Sequence, residues 1–156
     1  MTMKKRHVRT SVMCIPIIDN KVVIVRDRVH HEWTFPGGGK KHNETLFEAC
    51  VRELREETRN TIHVPPHDLR FLFLHRHSTD EFVECTYVFA AFVSNAIPFS
   101  TVHAQFACSA VRRTCHNETD GMRLISFNAL QRYNTWCKIR PIAKRLVSHP
   151  TMICVM

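Results

Sequence analysis

The sequence lacks the features that mark a membrane protein or a disulfide-bonded secreted protein. No apolar run approaches the roughly 18 residues of a membrane-spanning helix. The basic N-terminus is not followed by an apolar signal segment with a small-residue cleavage site. The seven cysteines are an odd number, are scattered along the chain and form no C-x-x-C pair. These absences predict a protein with free thiols in a reducing, cytoplasmic compartment and with no membrane partner.

Zinc-site spacing, internal repeats and low-complexity tracts are also missing. His75 and His77 alternate on a predicted strand, but none of the eleven histidines has the spacing of a structural zinc site. No change of composition marks a linker. We therefore interpret residues 1–156 as a single domain that is long enough to bury a hydrophobic core. Residues 95–121 have no clear period and are predicted to be a long loop or insertion, with a short helix at 102–111.

Glycine is scarce, and three of the four glycines are consecutive, at Gly37–Gly39. An acidic segment follows them, with Glu44 and then the run Arg52–Glu57. On an α-helix, three carboxylates of this segment fall within an arc of about 100°; they are those of Glu53, Glu56 and Glu57. Because like charges at this spacing destabilise a helix, a bound cation is the simplest group that would offset the repulsion.

Carboxylate oxygens are the ligands that Mg²⁺ and Mn²⁺ prefer, and two such ions can clamp the attacking and leaving oxygens of a phosphoryl transfer. Arg52 lies beside the acids, and its planar fork can orient a carboxylate or bind a phosphate. A separate apolar stripe on the same helix is predicted to face the core; it consists of Phe47, Val51 and Leu54.

The segment from Gly38 to Asn60 resembles the signature of the Nudix hydrolases. Glu44 stands at the family's distance from Gly38, and the run Arg52–Glu57 supplies the family's arginine and glutamates. The preceding stretch, Trp33–Gly39, resembles the strand that leads into the Nudix catalytic loop. The resemblance implies an α/β protein, a Nudix-type α/β/α sandwich with a mixed β-sheet. It also implies a pyrophosphatase that uses Mg²⁺ or Mn²⁺.

The resemblance implies a role for each matching residue. The metal ligands would be Glu53, Glu56, Glu57 and the carbonyl of Gly38. Arg52 would be the orienting cation and Glu44 an accessory carboxylate, although an ideal helical wheel places Glu44 opposite Glu53. Many family members take the catalytic base from a distant loop, for which Glu118 is the first candidate. The other candidates for the base are Asp120, Glu84 and a glutamate of the motif itself, Glu53 or Glu57.

The motif departs from the family pattern at its end. A glycine is expected at the position of Arg59, where it would end the helix in a left-handed turn. Asn60 tolerates that conformation and is predicted to cap the helix instead. At the other end, Asn43 is predicted to be the N-cap of a helix over residues 44–58.

The net charge of +8 attracts polyphosphates and nucleic acids. Lys40 and Lys41 follow the glycines directly and are predicted to bind substrate phosphates. Two phenylalanines of the predicted insertion, Phe99 and Phe106, are the aromatic residues expected to be most available for stacking a base.

Several substrate classes remain open. A nucleoside diphosphate linked to a second group, such as a nucleoside triphosphate cleaved to a monophosphate, is the first hypothesis. The charge favours a second one, the 5′ cap of RNA, because phosphate contacts dominate nucleic-acid affinity. The short chain favours the small nucleotide, since decapping members usually carry an extra RNA-binding region. Diphosphoinositol phosphates come third. Two non-enzymatic alternatives are a Nudix-fold binding module and a basic RNA-binding protein, and a homodimer is a further expectation from the family.

Overall fold

The computed structural model describes residues 6–93, 98–109, 118–133 and 139–153. Within these ranges, the strands are β1 His7–Ile18, β2 Lys21–Asp27, β3 Trp33–Thr34, β4 Gly37–Gly39, β5 Leu69–Ser78, β6 Phe82–Phe92 and β7 Thr119–Ile125. The α-helices are α1 Leu46–Glu57, α2 Phe99–Ser109 and α3 Arg140–Ser148. Three short 3₁₀ turns cover Pro66–Asp68, Phe127–Arg132 and Pro150–Met152.

The seven strands form one mixed sheet around β1. Strand β1 pairs in parallel with β6 and antiparallel with both β2 and β4. The main order is β3-β2-β1-β6-β5, and β7 pairs with β2. Because β1 is buried on both faces, its sequence from Ser11 to Ile18 is almost continuously apolar rather than alternating with polar residues.

Helices cover both faces of the sheet. Side chains alternate along a strand, so Val12 and Cys14 of β1 pack in one core cluster while Met13 and Ile15 pack in the other. The first cluster includes side chains of α1 and α2, and the second includes side chains of α3. The predicted α/β/α sandwich with a mixed sheet is confirmed.

The start of α1 differs from the prediction. Its N-cap is Thr45 rather than Asn43, since the Thr45 hydroxyl accepts from the Glu48 N–H at 3.1 Å and the Glu48 carboxylate accepts from the Thr45 N–H at 2.7 Å. This reciprocal pair is a capping box, and its T-x-x-E signature is present in the sequence. The predicted apolar stripe is also wrong at one position, because Phe47 is 42 % exposed and packs its ring beside Phe89.

The predicted insertion contains a helix close to the expected place. Helix α2 spans Phe99–Ser109 and contributes Val102 and Phe106 to the core, so Phe106 is 3 % exposed and is not available to stack a base. Residues 94–97 and 110–117 of this region lie outside the described ranges. In the part of the chain that the structure covers, no helix combines the length and apolar character needed to cross a bilayer.

Candidate active site

The three consecutive glycines form strand β4 rather than a loop. They pair with Ser11–Met13 of β1, which fixes them beneath the acidic face of α1. A methyl group on Gly37 would collide with the carbonyl of Val12, and one on Gly38 would lie 2.6 Å from Oε1 of Glu53. The absence of side chains therefore lets the strand backbone approach both β1 and the carboxylate of α1.

Two of the three predicted metal-binding glutamates are buried against this strand. Glu53 and Glu57 are 7 % and 8 % exposed, while the Glu56 side chain is half exposed. Oε2 of Glu57 accepts a hydrogen bond of 3.0 Å from the Gly37 N–H. Burial raises the pKa of Glu57 well above its ordinary value, and the negative charges of Glu53 and Glu118 raise it further. The hydrogen bond from the Gly37 N–H lowers this pKa but does not cancel the rise.

The Arg52 guanidinium lies at the centre of the acidic cluster and donates hydrogen bonds to three of its carboxylates. Its Nη1 donates to Oε1 of Glu53 at 2.7 Å and to Oε2 of Glu56 at 3.0 Å. Its Nε and Nη2 donate to the two oxygens of Glu44 at 2.9 and 2.7 Å, a bidentate pair. Nη2 also donates to the Gly39 carbonyl at 3.1 Å. One guanidinium thus joins three carboxylates to the glycine strand.

Arg52 also affects the ionisation of its partners. Burial raises the pKa of Glu53, and the hydrogen bond and charge of Arg52 oppose that rise. The same guanidinium lowers the pKa of Glu44 to about 2, with help from the Lys41 N–H. Glu44 precedes the N-cap, so the ideal helical wheel does not apply to it, and it lies beside Arg52 instead of opposite Glu53.

The helix ends as the family pattern requires, although the glycine is absent. The Arg59 N–H donates to the Glu56 carbonyl and the Asn60 N–H to the Arg55 carbonyl, which is the Schellman arrangement. Arg59 takes the left-handed position with φ of 53°, and Asn60 follows with φ of 58°. Asn60 is left-handed, but the prediction that it caps the helix in place of the glycine is wrong, because Arg59 itself takes the glycine position of the motif.

A cleft of about 250 Å³ opens beside the cluster. Its lining includes the glycine strand, Glu57 and Glu118. The lining also includes a polar wall on β1, β5 and β6 that lies outside the sequence motif; it consists of Ser11, His75, His77, Glu84 and Thr86. The Ser11 and Thr86 hydroxyls are 2.8 Å apart, and burial lowers the pKa of His75. The alternation of His75 and His77 along the strand was the sequence signal for this wall.

The structure separates the candidates for the catalytic base. Glu118 is exposed and lines the cleft with Glu57, whereas Asp120 pairs with Nε of Arg26 at 2.7 Å. Glu84 also lines the cleft. The negative charge of Glu118 raises the pKa of both Glu53 and Glu57, so Glu118 is the distant acid that lies close to the α1 carboxylates.

The two predicted phosphate-binding lysines lie at the end of the glycine strand. Lys40 Nζ donates to the Lys41 carbonyl at 3.0 Å, and neither lysine lines the cleft. The aromatic residue among the described cleft residues is Phe35, which is 1 % exposed.

The donor chemistry around Gly38 fits a hard divalent cation. The available groups are carboxylate and carbonyl oxygens, which Mg²⁺ and Mn²⁺ prefer. The close approach of Gly38 to Glu53 leaves no space for a side chain between the strand and the carboxylate. In the described residues, no three His, Cys, Asp or Glu side chains already converge as a metal-binding group; Glu53 and Glu56 turn to Arg52 instead.

The sequence model of the NUDIX domain matches residues 7–146. The chain belongs to the NUDIX domain family. The match spans the glycine strand, α1, the cleft residues and most of α3, so the predicted Nudix hydrolase is confirmed at the level of the family. A search of curated proteins found no match.

Solved structures with a similar fold cover most of this Nudix chain. The E. coli ORF135 protein has 15% identity and a TM-score of 0.67, over 93% of this chain and 92% of its own. A MutT protein from Methanosarcina mazei Go1 has 16% identity and a TM-score of 0.65, over 95% and 98%. An ADP compounds hydrolase has 17% identity and a TM-score of 0.64, over 93% and 73%. At these identities the likeness shows the fold.

Proposed function

We propose that this Nudix protein is a metal-dependent pyrophosphohydrolase that cleaves a nucleoside diphosphate linked to a second group. A free nucleotide of the nucleoside triphosphate type, cleaved to a monophosphate, is the first substrate. The observation that carries this proposal is the cluster of Glu44, Glu53 and Glu56 around Arg52, next to a cleft that contains Glu57 and Glu118. A diphosphate at the mouth of that cleft would meet both the acidic cluster and a proton acceptor.

The metal-binding groups would be the carboxylates of Glu53, Glu56 and Glu57 and the carbonyl of Gly38. When bound, Mg²⁺ or Mn²⁺ stabilises the negative charge that develops on the phosphoryl oxygens. Arg52 orients Glu53 and Glu56 through its two hydrogen bonds from Nη1. Glu44 holds the guanidinium in place through the bidentate pair on the other side of the fork.

Glu118 would accept the proton of the attacking water. Its exposure in the cleft, beside the buried Glu57, suits a base that must reach a solvent molecule. Lys40 and Lys41, at the end of the glycine strand, would bind the outer phosphates once Lys40 Nζ leaves the Lys41 carbonyl.

The cleft supports a compact second group. Its volume of about 250 Å³ is below the roughly 300–1,000 Å³ of typical drug-sized ligand sites. The hydroxyl pair of Ser11 and Thr86 and the side chains of His75 and Glu84 offer donors and acceptors to a sugar or a base edge. Because one fold-level neighbour is an ADP compounds hydrolase, ADP-linked compounds belong among the substrates to be tested.

Capped RNA is the second candidate. The net charge of +8 favours a long polyanion, because counterion release gives such complexes much of their affinity. A reducing, cytoplasmic compartment suits both candidates, and the free thiols of Cys14, Cys50, Cys85 and Cys108 support it.

The test is a product screen by mass spectrometry with Mg²⁺ or Mn²⁺ added. The panel contains nucleoside triphosphates, oxidised nucleotides, ADP-linked compounds, diphosphoinositol phosphates and capped RNA. The proposal expects a monophosphate and pyrophosphate from a free nucleotide, and loss of that product in Glu53→Gln and Glu57→Gln. Glu81→Gln, which changes an exposed acid between β5 and β6, is the matched control and should stay active.

The other outcomes of the product screen would favour different functions. Release of a cap nucleotide with free nucleotides untouched would replace the first candidate with the second. Full activity in both site variants would refute the metal-site assignment. A folded protein with no product from any substrate would leave the binding module as the better hypothesis.

A further inference from the structure

Arg59 occupies a backbone position that disfavours its side chain. Its φ of 53° lies in the left-handed region, where a Cβ clashes with the following carbonyl and where glycine is the usual residue. Replacing the glycine of the motif with arginine therefore strains the end of α1. Contacts made by the arginine side chain must offset that strain for the arrangement to persist.

The Arg59 side chain connects three elements. Nη1 donates to the Phe106 carbonyl of α2 at 3.0 Å, and Nη2 donates to the Thr119 carbonyl of β7 at 2.6 Å. The guanidinium carbon lies 4.2 Å from the centre of the Phe106 ring. A planar fork can make all of these contacts together. The buried Nε has no hydrogen-bond partner, which is a further unfavourable term that the contacts offset.

Thr119 is also tied to α1 by its own side chain. Its hydroxyl donates to the Glu57 carbonyl at 2.7 Å, and the residue is 2 % exposed. At the preceding residue, the Arg28 N–H donates to the Glu118 carbonyl at 2.9 Å. Glu118 is therefore held at its own carbonyl and directly precedes a residue that is attached twice to the end of α1. Its side chain opens into the cleft that Glu57 also lines.

We propose that Arg59 is a positioning residue: with Thr119, it fixes Glu118 beside the carboxylates of α1. The replacement of glycine by arginine then ties the distant base to the helix that would bind the metal. The inference rests on the proposed hydrolase function and on Glu118 as the base.

Arg59→Gly is the decisive variant. Glycine adopts a positive φ without strain, so the turn is kept while the side-chain contacts are lost. Because small displacements of a reacting group reduce turnover strongly, we expect kcat to fall about tenfold or more with KM within about twofold. In a Glu118→Gln background the same change should cause no further loss, since Arg59 would act through Glu118.

Two further variants test whether the proposal needs the planar guanidinium of Arg59 or only its positive charge. Arg59→Lys keeps the charge but cannot donate to both carbonyls in the same geometry, so it should resemble Arg59→Gly. Thr119→Val removes the hydroxyl that reaches Glu57 and should lower kcat through the same displacement. It also tests the proposal if Arg59→Gly fails to fold. Arg55→Ala, an exposed arginine on the same helix, is the matched control.

Hydrogen exchange on the metal-free protein gives a readout that does not depend on activity. The proposal expects faster exchange of the amides of residues 118–120 in Arg59→Gly and no change in Arg55→Ala. Equal losses of kcat with and without Glu118, together with unchanged exchange, would overturn it. An inactive wild-type protein would refute the proposed function, while the exchange experiment would still decide whether Arg59 holds this segment.

Discussion

Gly38 and Glu53 are so close that a methyl group on the glycine would lie 2.6 Å from Oε1 and 2.8 Å from the carboxyl carbon of the glutamate. This proximity, rather than an unusual backbone conformation, explains the glycine, because no glycine in the described ranges has a positive φ. The side chain that a substitution would displace is also the first of the proposed metal ligands.

Gly38→Ala should therefore damage the site without unfolding the protein. The new methyl group would push the Glu53 carboxylate away from the strand, and we expect metal affinity and kcat/KM to fall about 10–100-fold. The measurement is a Mg²⁺ titration of activity, together with the shift of Tm that Mg²⁺ causes. Gly39→Ala is the control, since a methyl group there would meet nothing within 4 Å. An unchanged Mg²⁺ midpoint in Gly38→Ala would contradict the assignment.

Arg52→Lys tests whether the fork or only the charge is required. Lysine keeps the positive charge, but it cannot form the bidentate pair with Glu44 while it donates to Glu53 and Glu56. We expect a loss of about 10–100-fold in metal affinity or turnover, the usual effect of losing a group that orients the ligands. Arg55→Lys, on an exposed face of the same helix, should match the wild type. Wild-type metal binding in Arg52→Lys would show that the fork is dispensable.

The part of the site that sequence could predict was the part set by local geometry. The i, i+3 and i+4 spacing of Glu53, Glu56 and Glu57 fixes their common face in any α-helix. The helical wheel gave the wrong position for Glu44, because that residue precedes the N-cap Thr45 and is not part of the helix. Its position is set by the bidentate contact with Arg52. The choice of Asn43 as N-cap failed because the reciprocal pair of Thr45 and Glu48 satisfies two backbone donors at once.

Much of the fold was also predictable from local sequence patterns. The features that could not be predicted depend on contacts between residues far apart in the sequence. Strand β1 and the boundaries of β2 follow from apolar runs and a turn at Asp19 and Asn20, both of which have positive φ. The burial of Phe106 depends on Arg59 and on the core cluster, neither of which has a local signature. The polar wall of the cleft arises because residues of three strands align in register, as Ser11, Thr86 and His75 do across β1, β6 and β5.

The cysteines should differ sharply in their reactivity with alkylating reagents. Cys14 is fully buried beside Cys50, and burial raises the pKa of its thiol, so little thiolate forms there. Cys108 on α2 is exposed. Site-resolved mass spectrometry after brief alkylation should show modification of Cys108 and protection of Cys14 and Cys50 until denaturant is added. Rapid labelling of Cys14 in the native protein would contradict the predicted core.

The burial of the Glu57 carboxyl predicts that the stability of the metal-free protein depends on pH in an unusual direction. Burial raises the pKa of this carboxyl well above its ordinary value of 4.5, so the folded state binds more protons than the unfolded state above that pH. The resulting contribution to stability is fully present below about pH 4.5 and is lost as the pH rises through the folded pKa. Glu57→Gln stays neutral, and its amide oxygen can still accept from the Gly37 N–H, so it avoids this loss.

In EDTA at pH 7, Glu57→Gln should melt at a higher temperature than the wild type, by an amount on the order of a few degrees. The difference should close as the pH falls towards 4. If Glu57 is a metal ligand, as proposed, added Mg²⁺ should reverse the order, because it would stabilise the wild type by mass action and would lose one ligand in the variant. Thermal unfolding across pH 4–8, with and without Mg²⁺, measures all three effects, with Glu81→Gln as the exposed control. If Glu57→Gln were the less stable protein at pH 7 in EDTA, the carboxylate would be stabilising the fold in its charged form.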